Sequence, residues 1–247
     1  MIAAEDTRSA RHLLDRHEIA GKKLVSYFDG NEAERSVQLL ERLRGGEDVA
    51  LISEAGTPGV SDPGHRLITR AIEAGVTVTV IPGPSAAVTA LVGSGLPTDE
   101  FYFVGFLPRE SGRRRERLGA LRTLPATLLF YEAPGRTGAT LADLAEVLGA
   151  TRRGCVAREL TKLYEELRRG TLAELAALYA ETAPRGEVTL VIEGAPAGAE
   201  TVVDVEAEVR RRVDAGESPK EIAAAVALLT GKPRRMIYQL ALSLRPR

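Results

Sequence analysis

Short runs of β-branched residues alternate along this chain with stretches in which apolar residues have helical spacing. This alternation predicts an α/β protein. Two β-branched runs, 49–52 and 76–81, are each followed by a Gly/Pro-rich loop and then by a stretch with helical spacing. Repeats of strand, turn and helix are typical of a parallel sheet, whose ligands bind beyond the carboxyl ends of its strands. The two loops, residues 53–64 and 82–86, are therefore the predicted ligand site.

Strands and helices are predicted through the rest of the chain as well. Further strands are expected at 24–27, 101–104, 126–131, 154–158 and 188–192, and helices are expected to begin near 31, 65, 85, 111, 136, 172, 218 and 233. Asn31 and Glu34 have the spacing of a capping box. Lys162–Arg168 fits either a strand or a helix, because alternation favours one and charge density the other.

A change of pattern at residues 96–99 predicts a domain boundary. We expect an N-terminal α/β domain over 1–96 and a second α/β domain over 97–195, with a cleft between them. A Gly/Ala/Pro spacer and a helix are expected over 196–216. Two short helices over 217–247 resemble a helix-turn-helix in outline.

Composition excludes several classes of protein. The chain has 247 residues, of which 44% are apolar, so it can bury a large core. Its one cysteine, Cys155, cannot form an internal disulfide, and its three histidines lack metal-ligand spacing. Without a long apolar run or a signal-peptide pattern, we expect a cytoplasmic protein with no membrane or metal site. Neither a dinucleotide fingerprint nor a P-loop is present.

The net charge of −1 does not favour nucleic-acid binding, but the charge is unevenly distributed. Six arginines lie between residues 109 and 122, and five basic residues lie between 229 and 247. These segments are either RNA-binding patches or ordinary solvated surface. The candidate RNA-binding residues are Arg113, Arg114, Arg115, Arg117, Arg234 and Arg235.

Eight short motifs occur in one order along residues 2–194. They are 2–8 (IAAEDTR), 53–58 (SEAGTP), 61–64 (SDPG), 82–86 (PGPSA), 95–99 (GLPTD), 103–108 (FVGFLP), 130–132 (FYE) and 157–162 (ARELTK). Together they resemble the ribosomal RNA small subunit methyltransferase I family, within the tetrapyrrole methylase superfamily. The tail at 217–244 resembles the small C-terminal helix-turn-helix piece of that family.

The resemblance implies S-adenosylmethionine in the cleft between two domains, a homodimer, and methylation of a cytidine ribose 2′-oxygen in the decoding region of 16S rRNA. It implies that the loops hold the amino-acid and ribose parts of the cofactor through Ser53, Ala55, Gly56, Thr57, Pro58, Ser61, Asp62, Pro82, Gly83, Pro84, Ser85 and Ala86. Tyr131, Arg158 and Thr189 would face its adenine.

The chain departs from this family at its start. Relatives begin earlier, with a first strand that leads into a Thr-Pro-Ile-Gly-Asn-Leu loop at the cleft. Absence of that strand would leave its neighbours with unpaired edges. We therefore expect either a misassigned start or a truncation at Met1, and a truncated chain could lack activity.

Methylation of a hydroxyl needs a group that accepts its proton. The candidates are Glu5, Asp6 and, if burial lowers its pKa, Lys162; Arg8 suits a phosphate or a carboxylate. In the alternative interpretation, residues 5–8 are a helix N-terminus that Asp6 or Thr7 caps. Asp62 could likewise bind a ligand or cap the helix that begins near Pro63.

Two other functions remain open from the sequence. One is another methyltransferase of the superfamily, which acts on a tetrapyrrole or a protein side chain. The other is a binding protein without catalytic activity.

Overall fold

The computed structural model describes residues 1–196, 205–230 and 232–244. Its strands are β1 (Ile2–Ala4), β2 (Leu24–Ser26), β3 (Ala50–Ile52), β4 (Phe101–Phe106), β5 (Thr127–Glu132), β6 (Arg153–Arg158), β7 (Glu166–Thr171) and β8 (Val188–Ile192). Its helices are α1 (Thr7–Arg16), α2 (Glu32–Arg44), α3 (His65–Glu73), α4 (Ala86–Ser94), α5 (Ser111–Gly119), α6 (Thr137–Leu148), α7 (Leu172–Leu178), α8 (Val205–Asp214), α9 (Pro219–Thr230) and α10 (Arg234–Ser243).

The first sheet is parallel, in the order β2-β1-β3. Ile2 pairs with Leu24 on one side and with Ala50 on the other. Its small core contains the buried side chains of Tyr27 and Leu39. Because the three strands run the same way, their carboxyl ends bring residue 5 and the 53–64 loop to one edge of the sheet.

The second sheet is mixed, in the order β4-β5-β8-β6-β7. β4 and β5 are parallel, and the other neighbours are antiparallel. Side chains alternate across it: Leu128 and Phe130 belong to a core formed with α5, α6 and α7, whereas Leu129 packs with Leu91 of α4. The α/β class is confirmed. Helix α4 precedes the boundary expected at 96, yet it packs on this second sheet.

Helices α8, α9 and α10 form a core of their own. Its buried residues include Val209, Ile222, Val226 and Ile237. The helices expected at 218 and 233 are confirmed, since α9 begins at Pro219 and α10 follows Pro233. Most of the expected Gly/Ala/Pro spacer lies outside the described residues.

The strand predicted at 76–81 is not observed. In the described residues this segment joins no sheet, and Val80 and Ile81 are 68% and 78% exposed. β3 is the edge of the first sheet, and no described strand pairs with its outer side. The β-branched residues of this segment favour an extended backbone, but no described strand pairs with them. Propensity alone does not make a strand.

The capping box predicted at Asn31 is also wrong. The Asn31 side chain instead accepts a hydrogen bond from Phe28 N (2.9 Å) and donates to Ser26 O (3.2 Å). An Asn side chain can close a turn instead of capping the helix that follows. The ambiguous segment 162–168 divides into a turn and the start of β7. Cys155 is buried in β6, as predicted.

Candidate functional site

The two predicted ligand loops meet between the sheets. A Cβ atom added to Gly56 would lie 3.7 Å from the Pro84 carbonyl oxygen, so the 53–64 and 82–86 loops are neighbours. A Cβ atom on Gly105 of β4 would lie 3.4 Å from Ser61 Oγ. The structure therefore brings the predicted cofactor-binding residues of both loops together beside the second sheet.

The backbone of the 53–64 loop requires glycine at its end. Gly64 has φ +153°, and a Cβ there would lie 2.9 Å from Leu51 Cδ2 and 3.0 Å from Gly59 N. Ser61 also lies in the left-handed region, at φ +61°. Non-glycine residues held there often mark functional sites.

A hydrogen-bonded pair, the partly buried Glu32 and the buried Tyr27, holds this loop beside the first sheet. Gly64 N donates to Glu32 Oε1 (3.0 Å), which also accepts from Tyr27 Oη (3.1 Å). Burial raises the pKa of Tyr27 to about 12, so this hydroxyl remains a donor at neutral pH. The end of the loop is thus fixed to α2 and to the residue after β2.

The three residues expected to face adenine lie side by side in the second sheet. Tyr131 of β5 is paired with Thr189 of β8, which is paired on its other side with Ala157, the neighbour of Arg158. Thr189 is buried, and Arg158 Nε donates to Glu166 (2.8 Å).

Aromatic rings surround Tyr131. Its ring centroid lies 5.0 Å from that of Phe103 and 5.7 Å from that of Phe106. Burial raises the pKa of the Tyr131 phenol, and a backbone hydrogen bond from Ala87 opposes that rise. Sequence reasoning missed both phenylalanines, because residues three apart lie on opposite faces of a regular strand and the sequence does not reveal the register shift between Phe103 and Gly105.

Carboxylates gather at the edge of the first sheet. A cavity of about 240 Å³ is lined by Glu5, Ser9 and Glu54 among others. Burial raises the pKa of Glu5, a backbone hydrogen bond at Glu54 opposes this, and the charges of Asp62 and Glu54 raise it further. Glu54, which accepts from Ser9 Oγ (2.6 Å), was missed although it lies within the predicted loop.

Asp6 has the helix-capping role. Its side chain accepts from Arg8 N (2.6 Å) at the start of α1 and forms an ion pair with the Arg8 guanidinium (2.9 Å). Hydrogen bonds from Arg8 lower the pKa of Asp6 to about 2, so it is a weak proton acceptor. The Arg8 side chain is largely exposed.

Lys162 is not buried, and its pKa is not lowered as a proton acceptor would require. Its ammonium lies 2.8 Å from Glu159 and 3.0 Å from Glu187, and these hydrogen bonds raise its pKa. Lys162 is thus half exposed and protonated, rather than buried and neutral.

Asp62 does not cap α3, whose N-cap is Gly64. Burial raises the pKa of Asp62, while a hydrogen bond from Ser53 opposes the rise.

Comparison with known proteins identifies the family. A profile of the tetrapyrrole (corrin/porphyrin) methylases matches residues 1–176. The chain belongs to this methylase family. Relatives named ribosomal RNA small subunit methyltransferase I include one from Micromonospora olivasterospora, 49% identical over 97% of this chain and 77% of the relative. One from Mesorhizobium japonicum is 44% identical over 99% of this chain and 83% of the relative.

Solved structures agree with the tetrapyrrole methylase fold. A diphthine synthase has a TM-score of 0.59 at 19% identity, with 78% of each chain covered. The methyltransferase CobJ has a TM-score of 0.53 at 18% identity, with 78% of this chain and 93% of that chain covered. At such identities these likenesses establish the fold alone.

The arginine patch of this methylase is only partly exposed. Arg114 is 4% exposed, and its Nε donates to Asp143 Oδ2 (2.6 Å), so this candidate RNA-binding residue is not available at the surface. The reason is that α5 packs on α6, where Asp143 holds Arg114 inward. Arg115 is half exposed and bound to the same carboxylate. Arg113 and Arg117 are exposed, as are Arg234 and Arg235 at the start of α10.

The described part of this methylase holds no cluster of His, Cys, Asp and Glu side chains suited to a metal ion. Nor does it include a helix of the length and apolarity that crossing a bilayer requires.

Proposed function

We propose that this chain uses S-adenosylmethionine to methylate the ribose 2′-oxygen of a cytidine in the decoding region of 16S rRNA. The observation that carries this proposal is the 49% identity, over 97% of the chain, to a relative named ribosomal RNA small subunit methyltransferase I. The cleft geometry supports it independently.

The residues at the cleft fit this cofactor. S-adenosylmethionine supplies a methyl group bonded to a positively charged sulfonium. Glu5, Glu54 and Asp62 make the adjoining edge of the first sheet negative, which suits a cation. The α4 N-terminus at Ser85 suits a carboxylate, and Tyr131 with its neighbouring rings offers an apolar wall for adenine.

Glu5 is our candidate for the proton acceptor. The Glu5 carboxylate would accept the proton of the ribose 2′-hydroxyl as that oxygen takes the methyl group and the bond from methyl to sulfur breaks, leaving its electron pair on the sulfur. Its raised pKa makes Glu5 a stronger base than an ordinary glutamate, whereas Asp6 is weaker and Lys162 is already protonated. The loops contribute by aligning the donor and the acceptor oxygen.

Exposed arginines would position the RNA. Arg8, Arg113 and Arg117 project from the two α/β regions, and Arg234 and Arg235 project from the tail. Such side chains contact phosphates and fix the register without reading bases.

A transfer assay tests this proposal. Purified protein is incubated with methyl-labelled S-adenosylmethionine and small ribosomal subunits that lack the modification, and the labelled nucleotide is identified by mass spectrometry. We expect label on one cytidine ribose, and none when the subunits are already methylated there. Label on a tetrapyrrole and none on the subunits would instead favour another activity of the superfamily.

We further infer a homodimer that acts in the cytoplasm, where small subunits are assembled. Leu163 and Tyr164 are 88% and 68% exposed in the turn before β7, which supports a contact between copies. Sedimentation equilibrium should give twice the chain mass.

We also propose that the domain boundaries lie at residues 96, 195 and 216, with α4 as the helix that joins the first two regions.

A further inference from the structure

A buried guanidinium nitrogen lies unpaired at the end of the second sheet remote from the cleft. Arg152 Nη2 donates to the carbonyl oxygen of Arg122 (3.0 Å). Arg152 Nη1 is buried and has no hydrogen-bond partner among the described residues. Such orphaned donors are rare in folded proteins, because each costs the free energy of its lost hydration.

A cavity of about 540 Å³ lies beside this group. Its lining includes Arg122, Arg152, Thr123, Thr151 and Glu193. Glu193 is engaged elsewhere, because its carboxylate lies 3.2 Å from the Arg153 guanidinium. The Arg122 side chain is exposed. Two arginines, two threonines and one carboxylate therefore line this cavity.

The electrostatics of the cavity favour an anion. Burial lowers the pKa of Arg152; the Glu193 charge opposes this, and the neighbouring Arg122 charge lowers it further. The charged form of Arg152 is thus incompletely compensated where it lies. An anion in the cavity would supply the missing charge.

The cavity is separate from the cofactor cleft. Thr189, at the cleft, and Glu193, at the cavity, are four residues apart along β8 and the residue after it. That separation is roughly 13 Å at the rise of an extended strand. A ligand in one site would therefore not occupy the other.

We propose that this cavity, the Arg122–Arg152 pocket, binds a phosphate group. The planar guanidinium presents paired N–H donors that match phosphate oxygens, and two cations suit a group that can carry more than one negative charge. The phosphate belongs either to the backbone of an RNA or to a free phosphate or phosphomonoester.

Inorganic phosphate is the first probe. Its binding is followed by calorimetry at constant ionic strength for the wild-type protein, Arg122→Gln and Arg152→Gln. Arg122→Gln keeps the backbone carbonyl to which Arg152 donates, so it removes a charge and leaves that hydrogen bond in place. The matched control is Arg44→Gln, an exposed arginine in α2 paired with Glu41.

We expect saturable binding to the wild type and to Arg44→Gln, and affinity about tenfold weaker or worse in both pocket variants. Circular dichroism without phosphate establishes that each variant is folded. If the wild type binds no phosphate, or binds it no better than folded Arg122→Gln does, the proposal is overturned.

Binding to small-subunit RNA distinguishes the two sources of phosphate. If the pocket holds an RNA phosphate, Arg122→Gln should reduce the slope of log affinity against log salt by about 0.7–0.9, and inorganic phosphate should compete with RNA. An unchanged slope, together with lost phosphate binding, assigns the pocket to a free phosphate or phosphomonoester. Only this RNA arm rests on the proposed function; the phosphate titration decides the site even if no methyl transfer is found.

Discussion

The adjacent carboxylates Glu5 and Asp6 have pKa values that are shifted in opposite directions. Burial beside Glu54 and Asp62 raises the pKa of Glu5, whereas hydrogen bonds from Arg8 lower the pKa of Asp6 to about 2. Both residues line the cavity at the sheet edge, but only the Asp6 side chain caps α1 and pairs with Arg8. The sequence places both residues at the cleft, but it cannot assign these two environments.

Glu5→Gln should therefore lower turnover by about 10²–10⁴-fold, the usual contribution of a general base, and leave cofactor affinity nearly unchanged. Wild-type turnover should rise as pH increases through the raised pKa of Glu5, because the carboxylate is the form that accepts a proton. Turnover against pH, with calorimetry of cofactor binding, measures both effects.

The matched control for this experiment is Asp6→Asn, in which the amide oxygen can still cap α1. It should keep most of the turnover and the same rise with pH. Loss of turnover in Asp6→Asn alone would show that the proton acceptor is Asp6.

Asp143 is expected to be a costly carboxylate to remove. It is 3% exposed and holds the buried Arg114. Asp143→Asn should destabilise the protein by about 3–5 kcal/mol, because it leaves a buried guanidinium without its counter-charge. Urea unfolding measures this loss. Glu146→Gln, which removes an exposed partner of Arg115, should cost no more than about 1 kcal/mol.

The difference in free energy of unfolding between wild type and Asp143→Asn should depend on pH, because the pKa of Asp143 is shifted. Burial raises it, but hydrogen bonds from Arg115, Arg114 and Ser111 outweigh burial, and the net shift is downward. A carboxylate whose pKa is lower when folded stabilises the protein above its unfolded pKa, near 3.9, and loses that contribution as pH falls towards the folded value. The gap between wild type and Asp143→Asn should thus narrow in acid; an equal gap at pH 7 and pH 3 would contradict the ion pair.

At the scale of elements, periodicity predicted those helices and strands whose burial is regular. β8 is buried at every position, and α6 buries Leu141, Leu144 and Leu148 at helical spacing, so both were predicted almost to their ends. β7 is a half-exposed edge strand, and its alternation could not be told from a charged helix. The segment 76–81 failed for a different reason, since strand formation needs a neighbour that local sequence does not describe.

The same limit applies to the candidate site. Gly/Pro-rich loops after β-branched runs were enough to predict that the 53–64 and 82–86 loops lie together, although the run at 76–81 forms no strand. Which arginine of α5 faces Asp143 depends on how α5 packs on α6, and density of charge in the sequence does not reveal it.

Substitutions in the segment 76–81, which joins no sheet among the described residues, should have little effect on stability. Val80→Thr and Ile81→Thr replace exposed side chains and should change the free energy of unfolding by no more than about 0.5 kcal/mol. The matched control is Val191→Thr, at a fully buried position in β8, which should cost about 1–3 kcal/mol for the buried hydroxyl. Denaturant unfolding measures all three. A cost at Ile81 comparable to that at Val191 would mean that the segment is covered in solution.

At the scale of the whole molecule, α4 connects the two halves of the cleft. The 82–86 loop that precedes it touches the 53–64 loop, while its own apolar side chains pack on the second sheet through Leu91. Arg169 of β7 donates to the carbonyl oxygens of Gly93 and Ser94 at its carboxyl end. Both ends of α4 are therefore fixed, and the loops are held at a defined position relative to Tyr131.

The tail is not built into the cleft in this way: among the described residues, its core consists of side chains from α8, α9 and α10, together with Leu244. Ile222→Ala, at a fully buried position, should destabilise this core by about 2–5 kcal/mol. Cofactor affinity should stay unchanged, whereas RNA affinity should fall because α10 carries Arg234 and Arg235. Hydrogen exchange should show lost protection confined to the tail.

Leu190→Ala in β8 provides the contrast for Ile222→Ala. Leu190 is equally buried, but it belongs to the second sheet and directly follows Thr189, which is paired with Tyr131. Its loss should weaken cofactor binding as well as stability, because the sheet that positions Tyr131 is itself loosened. If Ile222→Ala impaired cofactor binding as strongly as Leu190→Ala, the tail and the cleft would form one cooperative unit, and the arginines of α10 could not be studied apart from catalysis.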